Sequence, residues 1–139
     1  MSAAILSGKV YAEKLKSQAK AQMNELINEY GVTPSLVVII VGEDPASQVY
    51  VRNKHRICEE LGINSKIISL PETITKDDLI KNIEDLNNDS AIHGILLQLP
   101  LPKALHKYES EILYKINPKK DVDGLHPVNA GKLSIGEDC

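Results

Sequence analysis

Tyr50 and Lys54 lie four residues apart near the end of Val41-Gly42-Glu43-Asp44-Pro45-Ala46-Ser47-Gln48-Val49-Tyr50-Val51-Arg52-Asn53-Lys54. On a helix that spacing sets a phenol and an amine on one face, with Cβ atoms about 5–6 Å apart. A lysine in a partly dry cleft has its charged form disfavoured, which suits proton transfer, and a nearby phenol can orient the amine or its substrate. The plainer alternative is a solvated lysine beside a tyrosine packed at the helix edge. Gln98 follows the aliphatic run Ile95-Leu96-Leu97 and precedes Leu99-Pro100-Leu101-Pro102. An amide held there can donate and accept toward a polar ligand, or can satisfy its own loop. Asp123, in Asp121-Val122-Asp123-Gly124, offers a carboxylate suited to a paired N–H donor set such as an aminopyrimidinone. Alternatively both aspartates stabilise a turn before the glycine.

These side chains need elements to carry them. Residues 36–41 are continuously apolar and largely β-branched, as expected of a parallel strand covered on both faces. Gly42 then lets the chain turn, Asp44 is a good N-cap, and Pro45 suits the first helical position. This predicts a helix running to Leu61, closed by Gly62. Before the strand, residues 9–29 carry Val10, Leu15, Ala19, Met23, Leu26 and Ile27 among polar residues, with Gly31 beyond. That pattern predicts an amphipathic structural helix. Residues 63–70 read as a second strand. A helix capped by Thr75 follows, with Leu79, Ile80, Ile83 and Leu86 as its apolar face, ending at Asn87-Asn88-Asp89-Ser90. Residues 95–97 form a third strand that stops at the prolines, which lack the amides for further pairing. Residues 104–116 read as a weaker helix and residues 128–133 as a last short one. Alternating strands and helices predict an α/β fold: three layers, α/β/α, around a mainly parallel, doubly wound sheet. If the strands are parallel, Gly42 and Gln98 share one edge of that sheet, where such folds bind ligands.

With 139 residues, 42% apolar and 25% charged, the chain suits one domain. A net charge of -3 gives no footprint for nucleic acid or an anionic membrane. No apolar run approaches the roughly 18 residues of a membrane span, and no signal-peptide pattern opens the chain. This places it in the cytoplasm, although an organellar copy stripped of its presequence would read the same. Cys58 and Cys139 are too few for a disulfide framework and read as reduced thiols. His55, His93, His106 and His126 show no metal or triad spacing and read as structural or solvated, so no metal site is expected. There is no Gly-x-Gly-x-x-Gly and no Walker A sequence, hence no cofactor-binding residue to nominate.

Taken in order, the segment from Val41 through Lys54, Gly94-Ile95-Leu96-Leu97-Gln98-Leu99-Pro100-Leu101-Pro102, and Lys120-Asp121-Val122-Asp123-Gly124 resemble the bifunctional methylenetetrahydrofolate dehydrogenase/cyclohydrolase family. Leu86-Asn87-Asn88-Asp89 and Asn129-Ala130-Gly131-Lys132-Leu133 fit as well. The resemblance covers essentially the whole chain. It implies oxidation of 5,10-methylenetetrahydrofolate to the 5,10-methenyl form with NADP or NAD, followed by hydrolysis to 10-formyltetrahydrofolate. Carried over, Lys54 is the catalytic lysine, Tyr50 stacks on and orients the folate, Gln98 tunes and positions the lysine, and Asp123 binds the pterin's pyrimidine edge. Tyr50, Val51, Arg52, Asn53, Lys54, Leu97, Gln98 and Leu99 line the folate site. The implied partners are a folate substrate and, for the intact enzyme, a second copy in a homodimer.

The family continues into a dinucleotide-binding domain that has no counterpart here. Residues 1–133 therefore read as the catalytic folate-binding domain and residues 134–139 as the start of a linker. The NADP or NAD site is expected to be absent, and with it the dehydrogenase step. Two other readings stand beside this one. The first is a non-catalytic folate-binding module. The second is a short-chain dehydrogenase, which also uses Tyr-x-x-x-Lys but needs a glycine-rich nucleotide loop that the first 49 residues lack.

Overall fold

The apolar run after Pro34 forms the centre of the molecule. In the computed structural model, which describes residues 7–138, that run is strand β1, Ser35–Val41. Parallel neighbours flank it on both sides: β2, Asn64–Leu70, and β3, Gly94–Leu97, in the order β2-β1-β3. The registers Val41↔Leu70 and Ile39↔Leu97 set the carboxyl ends of all three strands along one edge.

A strand covered on both faces must divide its side chains by parity, and β1 does. Val37, Ile39 and Val41 join one core with Leu79 and Ile83 of helix α3 (Lys76–Asn88), Ile95 and Leu97 of β3, and Leu101, Leu105, Ile112 and Ile116 beyond it. Val38 and Ile40 join a second core with Leu96 and with Val51 of helix α2 (Pro45–Leu61). With α2 on one face and α3 on the other, the three-layer α/β/α reading holds. The step from β1 to β2 and the step from β2 to β3 run in opposite directions with their helices on opposite faces, so the two crossovers share one hand. No Phe or Trp is available. Aliphatic side chains fill the core, each contributing about 1.5–3 kcal/mol when fully buried.

The expected caps form. Asp44 accepts from Ser47 N at 2.7 Å, Thr75 accepts from Asp78 N at 3.1 Å, and Gly62 ends α2 in the left-handed region at φ 82°. Two expectations need correction. The helix expected over residues 104–116 is a 3-10 stretch, Lys103–Tyr108, followed by a short α4, Glu109–Leu113. Only Leu105, Ile112 and Ile116 of this segment are buried, too few to hold one continuous amphipathic face. Helix α1, Gly8–Tyr30, ends at Gly31 as expected but buries no residue. Ala19, Met23 and Ile27 are half-buried, whereas Val10, Leu15 and Leu26 are exposed, so half of the expected stripe packs against nothing described. The last helix, α5, spans Pro127–Ile135 and stops at Gly136, two residues into the segment read as linker. Cys139 lies outside the described residues. Among the described residues no helix is long and apolar enough to cross a membrane.

Candidate functional site

Adjacent strands β1 and β3 send their connections to opposite faces. β1 leads to α2 over the second core, and β3 leads to the 3-10 stretch and α4 over the first. The carboxyl edge between two such strands is a topological switch point, where open α/β sheets form their ligand crevice. Helix α2 starts there and turns Ser47, Val51 and Cys58 inward. The Asp44 carboxyl, accepting the Ser47 amide proton, is held below its ordinary range.

Lys54 and Gln98, 44 residues apart in sequence, meet at this edge. The Lys54 Nζ donates to Gln98 Oε1 at 3.2 Å, and both side chains are partly buried. The amide is fixed from two further sides. Gln98 N donates to Ile39 O at 2.8 Å, continuing the β1–β3 ladder, and Gln98 Nε2 donates to Leu99 O at 2.7 Å. Of the two sequence readings of this residue, the one in which the amide satisfies its own loop is seen here, and by doing so the amide aims its oxygen at the amine. That orientation is fixed by Leu99 O, which only accepts and so must face Nε2, leaving Oε1 for the amine. The loop beyond is pinned by Leu101, which is buried, and by Leu99, which packs half-buried on the same core. The Leu99–Pro100 peptide is cis.

The other expected site residues are placed unevenly. Tyr50, one turn before Lys54 on α2, is 62% exposed and presents its ring to solvent. Arg52 and Asn53 are exposed on the same helix. Val51 and Leu97 are 1% and 2% exposed and belong to the two cores. Their side chains pack into the cores and face no open surface, contrary to the expectation that they line the site. Asp123 is exposed on a turn beside β3 and makes no described contact with Lys54 or Gln98.

The turn carrying Asp123 is built by residues that sequence reasoning left unresolved. Ile95 N donates to Lys120 O at 2.7 Å, and Ile95 and Asp121 form a parallel bridge, so the segment adds to the edge of β3. The Lys120 amine reaches back to Leu86 O and Asp89 O at the end of α3. Asp121 accepts from His126 N at 2.9 Å, from Leu125 N at 3.4 Å and from Asn129 Nδ2 at 2.9 Å. Burial pushes the Asp121 carboxyl up, but these donors and Gly124 outweigh it and hold it below its ordinary range. Asn129, 7% exposed, also donates to Pro118 O at 2.9 Å. Of the two aspartates, Asp121 stabilises the turn and Asp123 is left facing outward. Only the Asp-x-Asp-Gly pattern followed by an asparagine in the first turn of α5 hinted at this division.

Three of the four histidines serve local structure, while His55 stands 3.6 Å from Glu59 through Nε2 and has no partner at its buried Nδ1 among the described residues. His93 Nδ1 accepts from Ser35 N, His126 Nδ1 accepts from Val128 N at the start of α5, and a His106 ring nitrogen bonds Leu101 O. Among the described residues no group of three or more His, Cys, Asp or Glu side chains is placed to hold a metal ion. A groove of about 330 Å³ runs beside the site between Gly42 and Pro100, and Glu43, Asp44 and Glu72 line it. A dinucleotide does not fit these strand-to-helix turns. At the start of α2 the Ser47 amide is already taken by Asp44 and Pro45 has none, so a pyrophosphate would meet carboxylates instead of free N–H groups. The first turn of α3 is acidic, with Asp77 and Asp78, and β3 leads into prolines.

Comparison with known proteins agrees over the same span. Residues 6–123 match the family described as tetrahydrofolate dehydrogenase/cyclohydrolase, catalytic domain. The bifunctional protein FolD of Oceanobacillus iheyensis is 48% identical over 136 residues, covering 98% of this chain and 47% of the relative. The crystal structure of the bifunctional FolD methylenetetrahydrofolate dehydrogenase/cyclohydrolase from Campylobacter jejuni superposes with a TM-score of 0.89 at 44% identity, covering 97% of this chain and 47% of that one. The FolD of Trypanosoma brucei, solved with NADP cofactor and an inhibitor, has a TM-score of 0.89 at 35% identity, covering 99% and 46%. The chain thus spans about half the length of the relatives it matches. On this extent of match in sequence and fold, the chain belongs to the tetrahydrofolate dehydrogenase/cyclohydrolase family, whose catalytic domain it represents.

Proposed function

We propose that this chain is the folate-handling part of a cytoplasmic enzyme of one-carbon metabolism. The enzyme oxidises 5,10-methylenetetrahydrofolate to 5,10-methenyltetrahydrofolate with NADP or NAD and hydrolyses the product to 10-formyltetrahydrofolate. Residues 1–133, with the last turn of α5, form the folate-binding domain, and the following residues lead toward chain that holds the dinucleotide. The working enzyme is a homodimer. The dinucleotide supplies the hydride acceptor, and this chain by itself carries out no oxidation, since hydride transfer needs both reactants held together.

The observation that carries the reading is the contact of Lys54 Nζ with Gln98 Oε1 at the switch-point edge. In the hydrolytic step, water adds to the electrophilic methenyl carbon between N5 and N10. Lys54, in its neutral form, takes the proton that the attacking water gives up. The resulting carbinolamine collapses as its hydroxyl gives up a proton to form the carbonyl, the bond from that carbon to N5 breaks, N5 takes up a proton, and the formyl group stays on N10. Gln98 holds the amine by one N–H and leaves its lone pair free to face the substrate. The exposed Tyr50 ring gives the folate a surface to stack on, Arg52, Asn53 and Leu99 flank it, and Asp123 accepts the paired N–H donors of the pterin.

The test is the decay of 5,10-methenyltetrahydrofolate absorbance alongside a titration of folate binding. Lys54→Ala is expected to abolish hydrolysis above background while leaving binding within a few-fold of the parent. A parent chain that binds folate without accelerating its hydrolysis would instead establish a non-catalytic binding module.

A further inference from the structure

The turn that presents Asp123 is fastened from outside the folate site. Asp121 bonds His126, Leu125 and Asn129 on its C-terminal side, Lys120 and Ile95 join it to β3, and Asn129 closes the ring through Pro118. Asn129 is buried and polar, and both of its side-chain bonds come from Nδ2 to this segment. Such a buried group is costly if left unpaired, so its geometry is fixed by the turn and fixes it in return. Meanwhile Gly124, at φ 68°, lets the chain reverse between Asp123 and the start of α5. Asp123 itself is exposed. Among the described residues no hydrogen bond or ion pair fixes where its carboxylate stands, and the backbone that Asp121 holds must do so.

We propose that Asp121, closed by Asn129, is a positioning residue for folate: its clasp sets the Asp123 carboxylate where the pterin edge meets it. The proposal rests on the folate-binding reading above. The clasp touches neither Lys54 nor Gln98, so its loss should act on folate affinity and not on the chemical step. Asp121→Asn keeps one oxygen for the two short bonds, to His126 and Asn129, and gives up only the 3.4 Å bond to Leu125.

The test is titration with 5,10-methenyltetrahydrofolate, with the hydrolysis rate at saturation, for the parent and for Asp121→Ala, Asp121→Asn, Asn129→Ala, Asp123→Ala and Asp121→Ala/Asp123→Ala. Urea midpoints for each variant establish folding. Asp123→Ala is expected to weaken binding about tenfold or more, as loss of a hydrogen bond to a charged group does. Asp121→Ala should weaken it similarly, Asn129→Ala less, and Asp121→Asn least, with saturated rates near the parent's. The double variant should bind no worse than Asp123→Ala alone, because the clasp acts through that carboxylate. Multiplying losses, or an Asp121→Ala chain that folds and binds like the parent while Asp123→Ala does not, would overturn the proposal alone. If Asp121→Ala does not fold, Asn129→Ala and Asp121→Asn decide by the same criteria. A parent that binds no folate overturns the folate reading and this proposal with it.

Discussion

Gly94→Ala tests whether the turn bearing Asp123 is packed against β3 as closely as the structure has it. A Cβ added at Gly94 would stand 2.7 Å from Val122 Cγ1 and 3.2 Å from Leu36 Cδ1. The first distance is well inside contact and the second is tight, and overpacking of this kind costs about 1–3 kcal/mol. Gly94 does not use a left-handed backbone, so alanine gains about 0.5–1 kcal/mol from reduced freedom of the unfolded chain. The net expectation is a loss of about 1 kcal/mol. Val122 is 51% exposed, and Val122→Ala alone should stay within about 0.5 kcal/mol of the parent. Together the two changes should restore most of the loss, a coupling of about 1 kcal/mol between touching residues. Urea unfolding followed by far-UV circular dichroism suits a chain without tryptophan. With a slope of about 1–3 kcal/mol/M, the midpoint should fall by roughly 0.5 M in Gly94→Ala and recover in the double variant. An unchanged midpoint, or a loss that Val122→Ala does not relieve, would refute the close approach of turn and strand.

Further predictions concern acid, core and surface. The Asp44 and Asp121 carboxyls sit below their ordinary values when folded, so the unfolded state binds more protons as the medium acidifies. Their stabilisation is complete above an unfolded value of about 3.9 and lost as pH falls through the lower folded values. Urea midpoints measured between about pH 5 and 2 should drop, less steeply in Asp121→Asn, and parallel curves for the two proteins would contradict the assignment. Ile83→Ala, fully buried between α3 and the sheet, should cost about 2–5 kcal/mol in the same assay. Leu15→Ser on the exposed side of α1 should cost no more than about 0.5 kcal/mol; comparable losses from the two would mean the layers are misassigned.

The fold was legible where physics is local. The six apolar residues 36–41 announced a strand buried on both faces, and Asp44-Pro45 and Gly62 bracketed α2, because caps act through neighbours in sequence. Residues 104–116 misled because their apolar spacing is sparse, and only the sheet decides which of them are buried. Helix α1 misled in the opposite direction: its stripe is apolar enough for a core helix, yet the described residues cover only Ala19, Met23 and Ile27 in part. At the site, parallel topology places Gln98 at the sheet edge where α2 begins, whereas the Tyr50–Lys54 spacing sets both on one helix without telling that Tyr50 stays exposed while Lys54 turns to Gln98. The bond between Lys54 and Gln98 depends on the Ile39↔Leu97 register, which no single segment contains. The separate duties of Asp121 and Asp123 were equally hidden, since both stand in one turn and differ only in which donors reach them.

The most direct measurement is the rate of 5,10-methenyltetrahydrofolate hydrolysis by the parent, Lys54→Ala, Gln98→Ala and the double variant. If the amine is the base and the amide its holder, the parent is weakly active above background. Lys54→Ala should then lose the contribution of about 10²–10⁴ that a positioned base supplies, down to whatever floor the background sets. Gln98→Ala should lose part of it, and the double variant should be no slower than Lys54→Ala. A Lys54→Ala chain as active as the parent, or losses that multiply in the double variant, would contradict the pairing of Lys54 with Gln98 as one catalytic unit.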